Sequence, residues 1–216
     1  MTFDAVVARL ETALREPLPG ERAQQLLTPA PRRDWPPGWN PARIRHAAGL
    51  LLIVAVDARA HVVLTVRSDT VRHGGQVSLP GGVVEPGETF EQAALREAHE
   101  EVALTRDAVR VLGPLTPVDI PVSGFRLHPV VAAAAERPPL RPADGEVARI
   151  LEVDLDALAD PARVVIRSLT REGETFAVPT IAVAGADIWG ATAMVLAEFL
   201  TLIGWEGPKQ SIVDSR

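Results

Sequence analysis

The chain has 216 residues, of which 47% are hydrophobic and 23% are charged, and its formal net charge is -6. This composition is typical of a globular protein, and the acidic charge argues against binding along a nucleic-acid backbone. The absence of cysteine excludes disulfides, thiolate metal sites and cysteine nucleophiles.

The first residues contain no basic segment followed by an apolar stretch, and no apolar run approaches the length of a membrane span, about 18 residues. We therefore expect a cytoplasmic protein that has neither a membrane nor a nucleic-acid partner. The sequence leaves a homodimer open. An anionic small-molecule substrate would need local positive charge or a metal ion.

The N-terminal part predicts a helix followed by an irregular arm. Apolar residues at helical spacing predict an amphipathic helix over residues 2–15, which ends before Pro17. Residues 28–42 contain five prolines and two tryptophans, a composition that excludes regular structure. Residues 1–45 are thus expected to form a helix and a proline-rich arm, in which Trp35 and Trp39 contact apolar groups.

The remainder predicts strands interleaved with two substantial helices, as expected for one α/β domain over residues 46–206 and a tail over 207–216. The predicted helices cover 89–102 and 190–203, with a helical turn at 155–158. The predicted strands cover 47–56, 61–66, 109–116, 125–135, 146–153, 162–169 and 175–183, and the last two form a hairpin. This order favours an α/β sandwich over a doubly wound sheet.

The stretch LPGGVVEPGETFEQAALREAHEEVAL, residues 79–104, contains six glutamates behind a Pro-Gly-Gly turn. At about 100° per residue, Glu97, Glu100 and Glu101 point into one sector of the predicted helix, beside its apolar face. Clustered carboxylates supply the oxygen ligands that Mg²⁺ and Mn²⁺ prefer. A solvated acidic surface is the alternative interpretation of these residues.

Two flanking features favour the metal site. Gly81 and Gly82 would let a backbone carbonyl approach a ligand without an intervening side chain, although a Gly-Gly pair is also an ordinary turn. Arg96 precedes the glutamates and can pair with Glu88, which would tie the loop to the helix.

Taken together, GGVVEPGETFEQAALREAHEEVAL resembles the Nudix box, G-x5-E-x7-R-E-U-x-E-E-x-G-U, where U is apolar. The matching positions are Gly82, Glu88, Arg96, Glu97, Ala98, Glu100, Glu101 and Leu104. Ala103 replaces the last glycine of the pattern, which would end the helix in a left-handed conformation; alanine there costs about 1 kcal/mol. This departure concerns the helix end and leaves the metal-binding side chains in place.

The resemblance implies a Nudix-type α/β/α sandwich with a central mixed sheet, and a hydrolase of nucleoside diphosphates linked to another moiety. It implies that Glu97, Glu100 and Glu101 bind Mg²⁺ or Mn²⁺, with the carbonyl of Gly81 as a further ligand. An anionic pyrophosphate could approach these carboxylates only through intervening cations, so the chemistry agrees.

The resemblance also implies catalytic roles around the metal. Arg96 and Glu88 would form a salt bridge that orients the loop. The base for the attacking water stays open: Glu97 or Glu100 can serve if the metal does not occupy it fully, and Glu146 is an alternative, since some Nudix enzymes use a glutamate from a later loop. Metal alone can also lower the pKa of the water enough.

The preceding stretch, VVLTVRSDTVRHGGQVSLPGG, is similar to the segment that coenzyme A pyrophosphatases of the Nudix superfamily carry ahead of the box: L-L-T-x-R-S, then L-R, then H-x-G-Q-V-x-F-P-G-G. The implied substrate-binding residues are Arg67, Arg72, His73 and Gln76. Residues 68–76 are one residue shorter than the usual pattern, and Leu79 replaces a common phenylalanine. Both departures concern the shape of the pocket.

The segments LGPLTPVDIPVSGFRLHPVVA, EVARILEVDLDAL and IWGATAMVL resemble later segments of the same enzymes, so the likeness covers about residues 47–203. It implies hydrolysis of coenzyme A or acyl-CoA to 3′,5′-ADP and (acyl-)phosphopantetheine. The alternatives are a Nudix pyrophosphatase of ADP-ribose, a dinucleotide or a nucleoside triphosphate, and a non-catalytic nucleotide-sensing module. Such modules often lose glutamates that this box retains.

Single residues of these segments also have simpler interpretations. An arginine that ends a strand is often a solvated cap, a lone histidine is usually structural, and Gln76 could cap a turn. Ser123 is expected in a turn where its hydroxyl could face the substrate, and Trp189 is expected in the core. Ser68 is not a nucleophile candidate, because no His/Asp pair accompanies it.

Overall fold

The computed structural model describes residues 1–70, 74–143, 145–171, 173–183 and 185–208. Two of the predicted substrate-binding residues, Arg72 and His73, lie outside the described residues. So does most of the expected tail, residues 209–216.

The described residues form helices and strands in the predicted order. The helices are α1 (Phe3–Ala13), α2 (Glu21–Gln24), α3 (Phe90–Val102), α4 (Leu155–Leu158) and α5 (Gly190–Leu202). The strands are β1 (Arg45–Val56), β2 (Arg59–Arg67), β3 (Val77–Ser78), β4 (Gly81–Val83), β5 (Arg110–Pro114), β6 (Val118–Ile120), β7 (Phe125–Ala134), β8 (Val147–Asp154), β9 (Val164–Arg171), β10 (Glu174–Val183) and β11 (Ala186–Ile188). Each predicted element is present, whereas the sequence patterns did not predict the short α2, β3, β4, β6 and β11.

The main sheet is mixed and is built around β1. This strand pairs in antiparallel with β2 and β4 and in parallel with β7. β2 also pairs with β3 and β8, and β7 with β5 and β6. The strands β9, β10 and β11 form a second, antiparallel sheet.

Alternate residues of β1 face two different layers, as the period of a strand requires. Leu50 and Leu52 belong to the apolar cluster of α3. Leu51 and Ile53 belong to the cluster of α1 and α5, which includes Phe199. Helices thus cover both faces of the sheet, which confirms the predicted α/β/α sandwich with a central mixed sheet.

The N-terminal segment is tied to α5 by a buried carboxylate. Glu198 is fully buried, and its oxygens accept hydrogen bonds from Gly20 N at 3.1 Å, Gln24 Nε2 at 3.1 Å and Thr116 Oγ1 at 2.6 Å. Because an unpaired buried carboxylate is costly, these donors fix the segment around α2, which precedes the arm, against α5.

The arm then continues alongside the second sheet. Ala30 exchanges two backbone hydrogen bonds with Ala177 of β10, at 2.9 and 2.8 Å. Farther along, Trp35 and Trp39 stack on each other with their ring centroids 5.5 Å apart. The arm is irregular, as its prolines predicted, yet it is bonded to the rest of the molecule.

None of the helices in the described part of the chain has the length and apolar character needed to cross a bilayer.

Both ends of α3 are defined by local contacts. Thr89 and Gln92 form a capping box, in which each side chain accepts a hydrogen bond from the other residue's backbone N–H. Ala103 adopts the left-handed conformation, with φ 57°, that glycine usually provides. The helix therefore ends at the expected position despite the alanine.

Substituting Ala103→Gly should raise the free energy of unfolding by about 1 kcal/mol, because glycine has no Cβ to strain this conformation. Urea denaturation measures the change. The matched control is Ala159→Gly at the end of α4, where φ is -83° and glycine should lower stability. A loss of stability in both variants would contradict the strain at Ala103.

A pair of histidines lies beside the first residue of α3. His46 Nδ1 and His128 Nε2 are 2.8 Å apart, and the rings of His128 and Phe90 stack with centroids 3.6 Å apart. Burial, followed by the charges of His46 and Arg126, lowers the pKa of His128 to about 4. In the folded protein this imidazole is therefore neutral near pH 6.

Between about pH 6.5 and pH 4, His128 binds a proton in the unfolded chain but not in the folded protein. The free energy of unfolding should therefore fall as the pH drops through this range. The variant His128→Gln should lose less Tm over this range than the wild type, as thermal melts at closely spaced pH values would measure. The same substitution at His61, outside this pair, is the control. Equal pH profiles for the wild type and His128→Gln would refute the assignment.

Candidate metal and substrate site

Two glycines allow β4 to lie close to both β1 and α3. A Cβ atom at Gly81 would lie 2.3 Å from the carbonyl oxygen of Ala48 and 2.6 Å from the Cα of Gly49. A Cβ atom at Gly82 would lie 2.5 Å from the carboxylate atoms of Glu97. Any larger residue would push β4 away or displace this carboxylate, so the Gly-Gly pair is more than an ordinary turn.

Glu101 joins α3 to the same turn. Its side chain is buried, at 4% exposure, and its Oε2 accepts a hydrogen bond from Gly81 N at 3.1 Å. This contact fixes the backbone of Gly81, whose carbonyl is the predicted fourth metal ligand, next to the carboxylates.

Arg96 holds the loop before α3, as its sequence position predicted. Its Nε and Nη2 donate to the two carboxylate oxygens of Glu88 at 2.8 and 3.0 Å. Nη2 also donates to the carbonyl of Val83 at 3.0 Å. This bidentate pair lowers the pKa of Glu88 and raises that of Arg96, so both groups stay charged near neutral pH.

The remaining nitrogen of Arg96 lies between two further carboxylates. Nη1 donates to Glu97 Oε1 at 2.9 Å and to Glu100 Oε2 at 3.0 Å. Burial raises the pKa of Glu97, and the nearby charges of Glu100 and Glu146 act in the same direction. Arg96 opposes this rise, because its positive charge favours the ionised carboxylate of Glu97.

The donor set fits a hard divalent cation. The carboxylates of α3 and the Gly81 carbonyl are oxygen ligands of the kind that Mg²⁺ and Mn²⁺ take. In the described residues no three acidic or histidine side chains converge on one point, and Arg96 Nη1 occupies the space between Glu97 and Glu100. Because the guanidinium is rigid, Nη1 keeps its place while Nε and Nη2 remain on Glu88, so a cation would bind Glu97 and Glu100 only after their carboxylates rotate away from Nη1.

A cleft of about 540 Å³ opens beside Gly81 and Gly82. Arg67 and Gln76 line it, and Arg67 N donates to the carbonyl of Gln76 at 3.0 Å. The side chain of Arg67 pairs with Glu146, whose Oε2 is 3.3 Å from Nη2. The structure thus brings two of the predicted substrate-binding residues to the same cleft as Gly81 and Gly82.

Two other residues discussed from the sequence, Trp189 and Ser123, also line this cleft. We expected Trp189 in the core, but it is only partly buried and lines the cleft. It directly precedes α5, whose first residues also line the cleft. Ser123 also lines the cleft, but its hydroxyl donates to the carbonyl of Ile120 at 3.2 Å.

Sequence reasoning missed the walls of the cleft that come from the arm and from the second sheet. Pro29, Pro31, Leu169 and Phe176 all line it. No pattern of the arm predicted this position, since the pairing of Ala30 with β10 depends on a contact between distant parts of the chain. The two arginines that follow Pro31 were the only local sign of a role near a ligand.

Comparison with known proteins identifies the family. A model of the NUDIX domain matches residues 45–172, more than half of the chain. The uncharacterised Nudix hydrolase NudL of Citrobacter koseri is 36% identical over 162 residues, which cover 74% of this chain and 84% of the relative. The chain belongs to the Nudix family. An uncharacterised Nudix hydrolase NudL of Shigella flexneri serotype 5b is 36% identical over 182 residues, 83% of this chain and 91% of the relative.

A solved structure of a Nudix hydrolase from M. smegmatis, RenU, is 34% identical, with a TM-score of 0.48, and the match covers 54% of this chain and 74% of RenU. Membership of the Nudix family confirms the predicted enzyme class, a pyrophosphatase-type hydrolase.

We expect Glu97→Gln to lower turnover by about 100-fold or more, and Glu101→Gln to do the same, because each removes a negative charge from a site that must hold a cation. Millimolar Mg²⁺ or Mn²⁺ should raise the Tm of the wild type, and this rise should shrink in both variants. Initial rates and thermal scans measure the two effects.

The matched control is Glu91→Gln, an exposed glutamate in the first turn of the same helix. It should keep both the rate and the shift in Tm. If neither ion shifts the Tm of the wild type, the acidic cluster is a solvated surface.

Proposed function

We propose that this Nudix hydrolase cleaves the pyrophosphate of coenzyme A or acyl-CoA, with Mg²⁺ or Mn²⁺, to 3′,5′-ADP and (acyl-)phosphopantetheine. The observation that carries the proposal is the position of Arg67 and Gln76. Both belong to the segment that resembles coenzyme A pyrophosphatases, and both line the cleft together with Gly81 and Gly82, the glycines that Glu101 and Glu97 contact.

The roles of the acidic residues follow from their contacts. Glu97, Glu100, Glu101 and the carbonyl of Gly81 would hold the ion, which would neutralise the pyrophosphate and lower the pKa of the attacking water. Arg96 stays paired with Glu88 and keeps the loop against α3.

In the reaction, the water oxygen bonds to one phosphorus, the bridging P–O bond breaks, and the bridging oxygen leaves with the other phosphate. A carboxylate accepts the proton of the water. Glu146 joins Glu97 and Glu100 as a candidate for this base, because its charge acts on Glu97 and its side chain reaches Arg67. Arg67 would have to exchange its contact with Glu146 for one with a substrate phosphate.

Turnover of a panel of pyrophosphates tests the proposal. With Mg²⁺, coenzyme A should be cleaved with a higher kcat/KM than ADP-ribose, a dinucleoside polyphosphate or ATP, and the nucleotide product should be 3′,5′-ADP. Faster cleavage of ADP-ribose would overturn the coenzyme A assignment and leave the Nudix chemistry intact. Tight nucleotide binding without any turnover would overturn catalysis.

Removing Arg67 should weaken the contact with the diphosphate. A hydrogen bond between arginine and a phosphate contributes about 1.5–3 kcal/mol, so Arg67→Ala should lower kcat/KM about 10- to 100-fold. Because Arg67 lies beside the acidic cluster, coenzyme A and dephospho-coenzyme A should be affected equally. Four rate constants, for the wild type and the variant on each substrate, measure this.

The control is Arg110→Ala, an exposed arginine that pairs with Glu11 on a distant edge of the sheet. It should leave all rates unchanged. A loss confined to coenzyme A would instead assign Arg67 to the 3′-phosphate, and no loss on either substrate would make it a solvated residue.

A further inference from the structure

We propose that Arg33 of the arm and Arg171 of β9 form a second anion site in the cleft, separate from the metal-bound diphosphate, and that this site binds the phosphate on the ribose of the substrate. This inference rests on the proposed function, because coenzyme A carries such a phosphate at its 3′ position. The site would select coenzyme A over dephospho-coenzyme A, which lacks this group.

The lining of the cleft carries the opposite charge to the chain as a whole. The chain has a formal net charge of -6. Among the described residues, by contrast, the charged side chains that line the cleft are four arginines and one aspartate: Arg32, Arg33, Arg67, Arg171 and Asp119. Positive charge that is concentrated in a concave space attracts anionic ligands.

The one carboxylate found in the described part of this lining is balanced by a neighbouring arginine. Asp119 accepts hydrogen bonds from Arg126, one from Nε to Oδ1 at 2.6 Å and one from Nη2 to Oδ2 at 3.1 Å. This bidentate pair lowers the pKa of Asp119, so the carboxylate is ionised at neutral pH and pairs with the guanidinium. Asp119 therefore cancels little of the positive charge that the four arginines bring to the cleft.

Two of the four arginines are less suited to a second anion. Arg67 comes from β2 and pairs with Glu146, and we assign it to the diphosphate. Arg32 has two carboxylates of the N-terminal segment beside it, because its nitrogens lie 3.8 Å from Glu21 Oε2 and 3.6 Å from Asp34 Oδ1. These carboxylates offset the charge of Arg32.

The remaining two arginines, Arg33 and Arg171, lie on the same face of the second sheet. Arg171 of β9 pairs across the strands with Glu174 of β10, and two residues farther along Leu169 pairs with Phe176. Because residues two apart in a strand share a face, Arg171 lies on the face that carries Leu169, and both line the cleft. The guanidinium of Arg33 reaches this face from the arm, since it lies 4.6 Å from the centroid of Phe176.

The ion pair of Arg33 can be exchanged for a phosphate at little cost. Its Nη2 lies 3.4 Å from Oε2 of Glu174, farther than the distance of about 2.7–2.9 Å that is typical of a strong charged hydrogen bond. The side chain of Glu174 is 67% exposed, and exposed ion pairs contribute little stability. A planar guanidinium held on the ring of Phe176 is suited to bidentate contact with a phosphate.

The arm that carries Arg33 is fixed in place by the second sheet. Ala30 exchanges two backbone hydrogen bonds with Ala177 of β10. The arm precedes residues 45–172, which match the NUDIX model, so membership of the family does not by itself imply this site. The arm would therefore add a preference for an extra phosphate to a domain that supplies the metal site.

The first test compares kcat/KM for coenzyme A and dephospho-coenzyme A. Because a charged hydrogen bond to the 3′-phosphate is lost in the second substrate, the wild type should prefer coenzyme A by about 10- to 100-fold. Arg33→Gln and Arg171→Gln should each lower this ratio by about tenfold, through a lower kcat/KM on coenzyme A alone. An equal loss on both substrates would overturn the inference, because it would assign these arginines to the diphosphate or to the fold.

Two further variants separate ligand binding from the attachment of the arm. Glu174→Gln removes the ion pair of Arg33 but keeps the arginine, so it should keep or raise the preference for coenzyme A. Arg43→Gln changes an exposed arginine of the arm outside the lining of the cleft and should keep the wild-type ratio. A lower ratio in either variant would contradict the inference, because the ion pair or the overall charge would then set the preference.

Binding of 3′,5′-ADP and 5′-AMP, neither of which contains a diphosphate, separates this inference from the proposed function. Calorimetry should show that the wild type binds 3′,5′-ADP about tenfold or more tightly than 5′-AMP, and that Arg33→Gln and Arg171→Gln each lose most of this difference. If no coenzyme A derivative is hydrolysed but this pattern is found, the proposed function fails and the anion site stands. Equal affinity of the wild type for the two nucleotides overturns the anion site, whatever the enzyme hydrolyses.

Discussion

The guanidinium of Arg96 is the contact on which the candidate site depends. Three glutamates and the carbonyl of Val83 bind it at 2.8–3.0 Å. Without the positive charge of Arg96, the negative charges of these glutamates, which lie within two turns of helix and the preceding loop, would repel one another. One arginine therefore fixes the loop to α3 and holds together the carboxylates that we propose bind the ion.

The glycines of β4 set the second constraint, which is steric. Glu97 lies against Gly82, and Glu101 bonds the backbone of Gly81, so the helix and the turn approach as closely as the absence of Cβ atoms permits. The carboxylates thus lie beside a backbone carbonyl and next to the opening of the cleft. The acidic residues and the mostly apolar cleft therefore meet at this one turn.

Much of the fold could be predicted from local patterns, because most elements carry their own signals. The apolar period of α1, the capping residues of α3 and the alternating strands of the main sheet each depend on neighbours in sequence. The short β3, β4 and β6 could not be predicted this way. Each contains only two or three residues, too few for a period, and forms because a partner strand lies beside it.

The acidic residues and the cleft differ in the same way: the first depend on residues close in sequence, and the second on contacts between distant segments. The acidic part lies on one helix and one turn, so the spacing of Glu97, Glu100 and Glu101 was enough to propose it from the sequence. The cleft joins the arm, β9, β10 and the start of α5, which are far apart in sequence. Trp189 illustrates the difference: its apolar neighbours suggested the core, but only the packing of α5 determines that its ring reaches the cleft.

The central claim is that the carboxylates of Glu97 and Glu100 leave Arg96 Nη1 and bind a divalent cation instead. Anomalous diffraction from crystals grown with Mn²⁺ tests it most directly. The account predicts an anomalous peak bounded by these two carboxylates, Glu101 and the carbonyl of Gly81, with Nε and Nη2 of Arg96 still on Glu88. A peak elsewhere in the molecule, or an Arg96 that keeps its bonds to Glu97 and Glu100 in saturating Mn²⁺, would contradict it.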